Sequence, residues 1–326
     1  MSRRLTAFTP SGDLHLGNYF GAIAPLVERQ IPGETITFVS DLHALTLDHD
    51  PAEVRRRTLE FATVLLAAGV DPDRTVFLVQ SHVPEHTELH YLLECVTGYG
   101  QAHRMIQFKE KSRGRRQVRM SLLTYPILMA ADILLYDAEE IPVGEDQRQH
   151  VELARDLAER FNATYAPVLT VPRAVNPSVA ARIMDLTDPT RKMSKSLSPA
   201  GTLRLLDPPD VLRRKVMRAV TDNDTEITHD PHRKPGIANL LTILSACTGA
   251  TPDGLSHEFT TYGDVKRTVA DAVIATTDPI RHHYTELARD PTTIRATLHH
   301  GATTARPQAR AKVDSVKNAL GLLPAP

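Results

Sequence analysis

The stretch TPSGDLHLGN, residues 9–18, places a His, a Gly and an Asn within four positions, just after a run typical of a strand. A helix that begins there presents unpaired N–H groups and the positive end of its dipole, which favours a phosphate ligand. His15 and Asn18 add side-chain donors one helical turn apart, and Gly17, without a side chain, lets a flat base approach the backbone. A capped helix start with an incidental histidine is the alternative interpretation.

Two lysines lie close together in the Ser-rich segment RKMSKS, residues 191–196. A flexible arm of this composition can close on a polyphosphate, and Lys192 and Lys195 then lie where a departing pyrophosphate accumulates negative charge. A pair of solvated lysines is the alternative for this segment taken alone.

The segment TYPILMAAD predicts a polar acceptor on an apolar helix. Tyr125, Met129 and Asp132 follow the spacing i, i+4, i+7, which puts their side chains on one helix face. An indole N–H can only donate a hydrogen bond, so a buried carboxylate is a suitable acceptor for it, and an aromatic ligand without that donor would leave Asp132 desolvated and unpaired. The alternative is that Met129 belongs to the core and Asp132 is a surface charge.

The co-occurrence of HxGN after the first predicted strand and KMSKS late in the chain resembles the paired signature of class I aminoacyl-tRNA synthetases, whose usual first motif is HxGH. Further segments resemble the bacterial tryptophanyl-tRNA synthetases in the same order over nearly the whole chain: SDLHA, QSHVPEHTEL, MIQFKEKS, LLTYPILMAADILLY, GEDQRQH, ARIMDL and KPGIANLL. The resemblance implies a homodimeric enzyme that forms tryptophanyl adenylate from L-tryptophan and ATP with Mg²⁺. It then transfers the tryptophanyl group to tRNA(Trp).

The resemblance also implies roles for single residues. Asp132 reads the indole nitrogen, and Gly144 and Asp146 meet the ribose. The implied tryptophan-binding residues are Leu5, His43, Tyr125, Met129, Asp132 and Gln147, of which Tyr125 and Gln147 hold the ammonium and carboxylate groups. The implied ATP-binding residues are Thr9, Gly17, Asn18, Gly144, Asp146, Ile183, Lys192, Met193, Ser194 and Lys195. The catalytic residues are His15, Asn18, Lys111, Lys192 and Lys195, and Lys111 contacts the polyphosphate.

The expected mechanism needs no covalent enzyme intermediate. The tryptophan carboxylate attacks the α-phosphorus of ATP in line, so orientation and charge stabilisation supply most of the catalysis. Mg²⁺ is expected to travel with ATP, because the sequence predicts no dedicated cage of carboxylates and no other metal site. The terminal ribose hydroxyl of the tRNA then attacks the adenylate carbonyl.

Three other functions compete with this interpretation. Tyrosyl-tRNA synthetase shares the fold and also reads its substrate with carboxylate and phenol groups. A small-molecule adenylyltransferase of the HxGH type is disfavoured by KMSKS and by the long helical tail. A non-catalytic protein that binds tRNA or tryptophan as a regulator is disfavoured by the intact His15, Lys192 and Lys195.

Two positions depart from the family. Leu5 stands where an aromatic residue usually sandwiches the indole, and Thr9 stands where a Gln usually precedes the Pro of the first motif. Leu5 replaces aromatic stacking, a contribution of about 0.5–1.5 kcal/mol, with weaker dispersion. The chain also contains no tryptophan. These features suggest an auxiliary, inhibitor-tolerant copy of the enzyme.

The predicted fold is α/β, with a Rossmann-type parallel sheet followed by a helical domain. Short β-rich runs at 4–9, 35–40, 75–80 and 140–144 alternate with helical patterns at 51–69, 85–97, 121–136 and 145–161. Ligands bind at the carboxyl ends of such strands, so the loops at 9–15, 40–44 and 143–147 are expected to converge. Pro126 is expected at the start of its helix. The basic run 109–120 is expected to be a solvated loop, and Pro279 a joint between helices.

Length and composition bound the remaining possibilities. The 326 residues favour two domains. The resemblance implies a Rossmann catalytic domain at 1–190, which holds the tryptophan and ATP site and a dimer-forming segment, and the KMSKS loop with a helical anticodon-binding domain at 191–326. A net charge of −1 requires any RNA contact to use a local patch. The two cysteines, far apart, indicate reduced thiols. Because the sequence carries no signal peptide and no long apolar segment, we expect a cytoplasmic protein that does not enter membranes.

Overall fold

A five-stranded parallel sheet organises the N-terminal half of the protein, in a computed structural model that describes residues 3–114, 117–144, 147–175, 182–194 and 198–324. The strands are β1 (Arg4–Phe8), β2 (Thr35–Val39), β3 (Val76–Val79), β4 (Glu140–Pro142) and β5 (Arg173–Val175), in the spatial order β3-β2-β1-β4-β5. The α/β class and the four expected strands are confirmed. The sequence does not predict β5, because its three residues lie between prolines and show no periodicity.

Helices connect the strands and cover both faces of the sheet. They are α1 (Leu16–Asn18), α2 (Ala24–Glu28), α3 (Asp41–Ala44), α4 (Pro51–Ala67), α5 (Glu85–Glu94), α6 (Tyr99–His103), α7 (Ile106–Ser112), α8 (Met120–Leu134) and α9 (Arg148–Thr164). A π-helical segment, Tyr19–Ile23, joins α1 to α2. The start of α4 shows how the sequence sets these boundaries: Asp50 accepts a hydrogen bond from the Ala52 N–H at 2.9 Å, and Pro51 occupies the first helical position.

Three local predictions are wrong. Helix α8 begins at Met120, so Pro126 lies inside it, where burial of most of the helix offsets the backbone hydrogen bond that proline cannot make. Residues 109–112 of the expected loop complete α7, because the neighbouring Phe108 packs against the main core and holds the helix in place. Pro279 lies within a long helix, Tyr262–Leu287, and is no joint.

The C-terminal region is helical, as expected. It contains α10 (Pro209–Met217), α11 (Pro235–Thr248), α12 (Pro252–Ser256), α13 (Tyr262–Leu287) and α14 (Pro291–Ala319). Helices α10, α11 and α13 pack around their own hydrophobic core. Helix α14 instead returns to the sheet and packs against β3 and α5, adding Ala302, Ala305, Ala309, Val313 and Val316 to the main core. The division at residue 190 remains a prediction.

No helix in the described part of the chain is both long and apolar enough to cross a membrane.

The contact between α14 and β3 depends on Gly301. A Cβ atom built at Gly301 would lie 1.8 Å from the carbonyl oxygen of Phe77 in β3, which is backbone and cannot rotate away. Helix and strand therefore approach more closely than any side chain at this position would allow.

We expect Gly301→Ala to lower the free energy of unfolding by about 1–3 kcal/mol, because the helix must move off the strand. Gly263→Ala in α13 is the matched control: its Cβ would meet only ordinary contacts at 3.6 Å. That change is expected to be neutral or to stabilise by up to about 1 kcal/mol, the usual gain in helix propensity. Urea unfolding of both variants checks the prediction, and equal stabilities would contradict it.

Candidate active site

The loops at the carboxyl ends of β1, β2 and β3 are joined by side-chain hydrogen bonds. The hydroxyls of Thr9 and Ser40 lie 3.0 Å apart, which links the exits of β1 and β2. The Asp41 carboxylate accepts hydrogen bonds from the Ser81 N–H at 3.0 Å and the Ser81 hydroxyl at 2.5 Å, which links the exits of β2 and β3. The loops at 9–15 and 40–44 therefore meet at the sheet edge where parallel sheets bind ligands.

His15 is the N-cap residue that precedes α1 and is 3% exposed. Its backbone N–H donates to the Oδ1 of Asn18 at 3.2 Å, so the Asn18 oxygen is engaged within the turn while its NH₂ group is a donor. A Cβ at Gly17 would lie 3.1 Å from the His15 Nδ1, so a larger residue there would displace the imidazole. Gly17 therefore leaves room for the His15 imidazole in this turn.

The second motif is attached to the first through two short extended segments. The Met193 N–H donates to the Ile183 carbonyl at 3.0 Å, which pairs residues 183–185 with residues 191–193. The Leu16 N–H donates to the Leu203 carbonyl at 2.8 Å, just beyond the KMSKS segment. Leu16, Ile183 and Met193 are fully buried in one cluster. Predicted ATP-binding residues from distant parts of the chain therefore lie together.

Asn239 on α11 anchors this pair of segments. Its Nδ2 donates to the Met184 carbonyl at 3.0 Å, and its Oδ1 accepts from the Met184 N–H at 2.8 Å. Asn239 belongs to the KPGIANLL segment, and sequence analysis assigns it no role. Lys192 is exposed in the middle of the paired segment, opposite Met184, and the half-buried Ser194 lies two residues further along the chain. Lys195 and Asp146 are predicted site residues that lie outside the described residues.

Asp132 forms the centre of a buried polar network beside these loops. It is 2% exposed, and its Oδ2 accepts a hydrogen bond from His43 Nε2 at 2.9 Å. Its Oδ1 accepts from Gln80 Nε2 at 2.7 Å and from His86 Nδ1 at 2.6 Å. Burial alone would raise the pKa of Asp132, but the hydrogen bonds from His43 and His86 outweigh it and lower the pKa to about 2. The alternative of a surface charge is therefore wrong, and Asp132 is an anion.

Sequence analysis does not assign roles to Gln80 and His86, although both lie in the QSHVPEHTEL segment. Gln80 also accepts a hydrogen bond from the Leu42 N–H at 3.1 Å, so it ties the start of α3 to Asp132. The signal that could have identified them is a run of polar residues directly after a buried strand, where loops of a parallel sheet carry functional side chains.

His150 on α9 is a further buried histidine, and it contacts two of the predicted site residues. His150 is 1% exposed; its Nε2 lies 3.2 Å from the Tyr125 hydroxyl, and its Nδ1 lies 2.8 Å from the Oε1 of Gln147. Tyr125 meets the His43 ring edge-on at 6.2 Å, and the Lys111 ammonium lies 5.1 Å from the centre of the Tyr125 ring. The structure thus brings Lys111, His43, Tyr125 and Gln147 into one neighbourhood.

Three further predicted residues, Met129, Leu5 and Gly144, differ in their surroundings. Met129 is half-buried against the main core, one helical turn before Asp132. Leu5 is 4% exposed within the same core. Gly144 is exposed, and its carbonyl accepts a hydrogen bond from the Gln147 N–H at 3.0 Å.

A family model described as tRNA synthetases class I (W and Y) matches residues 2–277. The chain belongs to this family. It is 50% identical to tryptophan–tRNA ligase 1 of Streptomyces coelicolor, over 99% of this chain and 98% of the relative. The fold is similar to a crystal structure of tryptophanyl-tRNA synthetase from Mycoplasma pneumoniae, with a TM-score of 0.90, 34% identity and coverage of 99% and 98% of the two chains. The fold is also similar to a crystal structure of tryptophanyl-tRNA synthetase from Campylobacter jejuni complexed with ADP and tryptophan. The TM-score is 0.84, the identity is 33%, and the match covers 98% of this chain and 100% of that chain.

We expect Asn239→Ala to expose the paired segments 183–185 and 191–193 to faster amide hydrogen exchange, because both backbone groups of Met184 lose their partner. The loss in stability is expected to be about 1–3 kcal/mol. Asn162→Ala is the matched control, since the Asn162 amide bridges the N–H and carbonyl of Leu169 in the same way, at 2.9 and 2.7 Å. Mass spectrometry should show faster exchange over 183–193 only in Asn239→Ala; unchanged exchange there would contradict the assignment.

Proposed function

We propose that this chain is a tryptophan–tRNA ligase, which activates L-tryptophan with ATP and transfers it to tRNA(Trp). The observation that carries the proposal is the buried anionic Asp132 on the helix face that also presents Tyr125 and Met129. The 50% identity to a tryptophan–tRNA ligase over nearly the full chain supports it. So does the fold shared with an enzyme complexed with ADP and tryptophan.

Asp132 is suited to the indole because a carboxylate with a pKa of about 2 only accepts hydrogen bonds. Three donors already fill acceptor positions on its two oxygens, and a carboxylate offers about four such positions. One position therefore remains for the indole N–H. A tyrosine phenol could also donate to it, which makes a direct comparison of the two amino acids the decisive assay.

The phosphates of ATP are proposed to bind at the start of α1. His15 and Asn18 stabilise them there, and Lys111, Lys192 and Lys195 stabilise the departing pyrophosphate. Gly144 and Asp146 meet the ribose, and Tyr125 and Gln147 hold the ammonium and carboxylate of the amino acid. The buried His150 supports these last two roles, because it contacts both side chains.

Mg²⁺ is proposed to arrive with ATP as part of the substrate. Among the described residues no group of three or more His, Cys, Asp or Glu side chains could hold a metal ion. The ion would supply charge neutralisation at the phosphates, while the residues of this chain orient the reacting groups.

We expect the purified protein to exchange pyrophosphate into ATP in the presence of tryptophan, with tyrosine as the control amino acid. The reason is the joint presence of the first motif, KMSKS and the Asp132 network. Exchange dependent on tyrosine and absent with tryptophan would overturn the proposed substrate.

We expect Lys195→Ala to lower the activation rate with little change in tryptophan affinity, because the ammonium acts mainly as charge moves onto pyrophosphate. Removal of one such donor costs about 2.7–4 kcal/mol, a rate loss of about 10²–10³-fold. Single-turnover formation of the adenylate measures it. An unchanged rate would show that Lys195 has no role in activation.

The proposal includes a homodimer formed by the face that carries α5 to α8. Helices α5, α6 and α7 each pack on α8, and large apolar side chains on or beside these helices remain exposed in the single chain: Tyr91 at 65%, Tyr99 at 71%, Ile106 at 55% and Met120 at 71%. Apolar groups of this size clustered on one face are typical of an interface with another protein. A second copy is the occupant we propose.

We expect the wild-type chain to sediment as a dimer of 36.0 kDa subunits, and Tyr99→Glu to shift it toward monomer, because the charge would be buried between copies. Leu323→Glu is the control, since Leu323 is 95% exposed near the C-terminus. A monomeric wild type at micromolar concentration would contradict the proposed dimer.

The cytoplasmic location and the auxiliary, inhibitor-tolerant role suggested by Leu5 and Thr9 remain proposals of the sequence. In the structure the Thr9 hydroxyl lies 3.0 Å from the Ser40 hydroxyl. A Gln at this position would have a longer side chain than Thr9.

A further inference from the structure

The inner side of the Asp132 carboxylate is held by a chain of fully buried groups. His86 and Tyr136 are both 0% exposed. The Tyr136 hydroxyl lies 2.8 Å from His86 Nε2, and His86 Nδ1 lies 2.6 Å from Asp132 Oδ1. Neither His86 nor Tyr136 has a role in the mechanism above.

The chemistry of the three groups determines where the protons lie. The Asp132 carboxylate only accepts, so His86 Nδ1 must carry a proton and donate it. In the neutral imidazole, Nε2 is then an acceptor, and the Tyr136 O–H donates to it. Burial, together with the charges of Asp132 and Glu85, raises the pKa of Tyr136 well above its usual value, so the phenol keeps this proton. Tyr136 therefore selects the tautomer in which His86 can donate to Asp132.

The two oxygens of Asp132 face different surroundings. Oδ1 is occupied by His86 and Gln80, which are both 0% exposed. Oδ2 is approached by His43, whose side chain is 13% exposed and meets Tyr125 edge-on. The interior donors hold Oδ1, and the remaining acceptor position lies on Oδ2, the oxygen on the side of His43 and Tyr125.

We propose that His86, oriented by Tyr136, is a positioning residue that directs Asp132 Oδ2 at the indole N–H. This orientation sets the preference for tryptophan over an isosteric aromatic amino acid that lacks an N–H donor. This inference rests on the proposed function, in which Asp132 reads the indole. His86 touches Asp132 and acts through it.

The test compares tryptophan with 3-(benzothiophen-3-yl)alanine, in which sulfur replaces the indole N–H. The measured quantity is the ratio of the two kcat/KM values in pyrophosphate exchange, using the full-length protein. In His86→Asn the amide nitrogen can occupy the place of Nδ1, so the donor to Asp132 is kept. In His86→Gln the amide nitrogen reaches the place of Nε2, so that donor is lost. Tyr136→Phe keeps the ring and removes only the hydroxyl.

We expect the ratio to fall about tenfold in His86→Gln and in Tyr136→Phe, mainly through the KM for tryptophan, the size expected for one hydrogen bond to a charged group. His86→Asn should keep the ratio within about threefold of wild type, since it restores the donor. Tyr262→Phe in α13 is the matched control. It also removes a phenol hydroxyl that donates a hydrogen bond, here to Asp222 Oδ1 at 2.7 Å. Its ratio should equal that of the wild type.

The outcomes separate the two proposals. A wild-type ratio near one would overturn the reading of the indole by Asp132. A high wild-type ratio that is unchanged in Tyr136→Phe and His86→Gln would overturn the positioning role alone. Equal losses for both substrates would also overturn it, since a purely structural defect lowers both kcat/KM values together. If His86→Gln fails to fold, Tyr136→Phe carries the test by itself.

Discussion

One carboxylate held almost entirely out of water constrains the organisation of the substrate site. Removing Asp132 from solvent is costly unless its charge is met by donors, and the donors must come from separate elements. His43 comes from α3, Gln80 from the exit of β3 and His86 from α5, while Asp132 itself lies on α8. The network therefore connects α3, the exit of β3 and α5 to α8 at the sheet edge. The relative positions of these elements are constrained because each must place a donor on the same carboxylate.

The part of the site where we propose that phosphate binds is held together by backbone pairing between separate segments. The segments 183–185 and 191–193 pair with one another, Asn239 fixes the Met184 backbone, and the segment after KMSKS pairs with the residues around Leu16. Lys192 is thereby carried by a structure that is bonded both to the first motif and to the helical region. A change in the packing of α11 would therefore reach Lys192 through these bonds.

The proposed dimer interface and the hydrogen-bond network around Asp132 share two helices, α5 and α8. Helix α5 carries His86 on its buried side and Tyr91 on its exposed side. Helix α8 likewise carries Asp132 inside and begins at the exposed Met120. An interface formed on this face would therefore restrain both α8, which carries Asp132, and α5, which carries its hydrogen-bond donor His86.

The sequence by itself determined the α/β class, the four longer strands, and the helix face that joins Tyr125, Met129 and Asp132, because these depend on local periodicity and on residue chemistry. Tertiary structure decided what local pattern cannot specify. Pro126 lies inside α8 because burial outweighs one missing hydrogen bond. Gln80, His86, His150 and Asn239 acquire roles through partners that lie between 25 and 55 residues away in the chain. Helix α14 crosses back to β3 because Gly301 leaves room for the strand, a relation over more than two hundred residues that no sequence window contains.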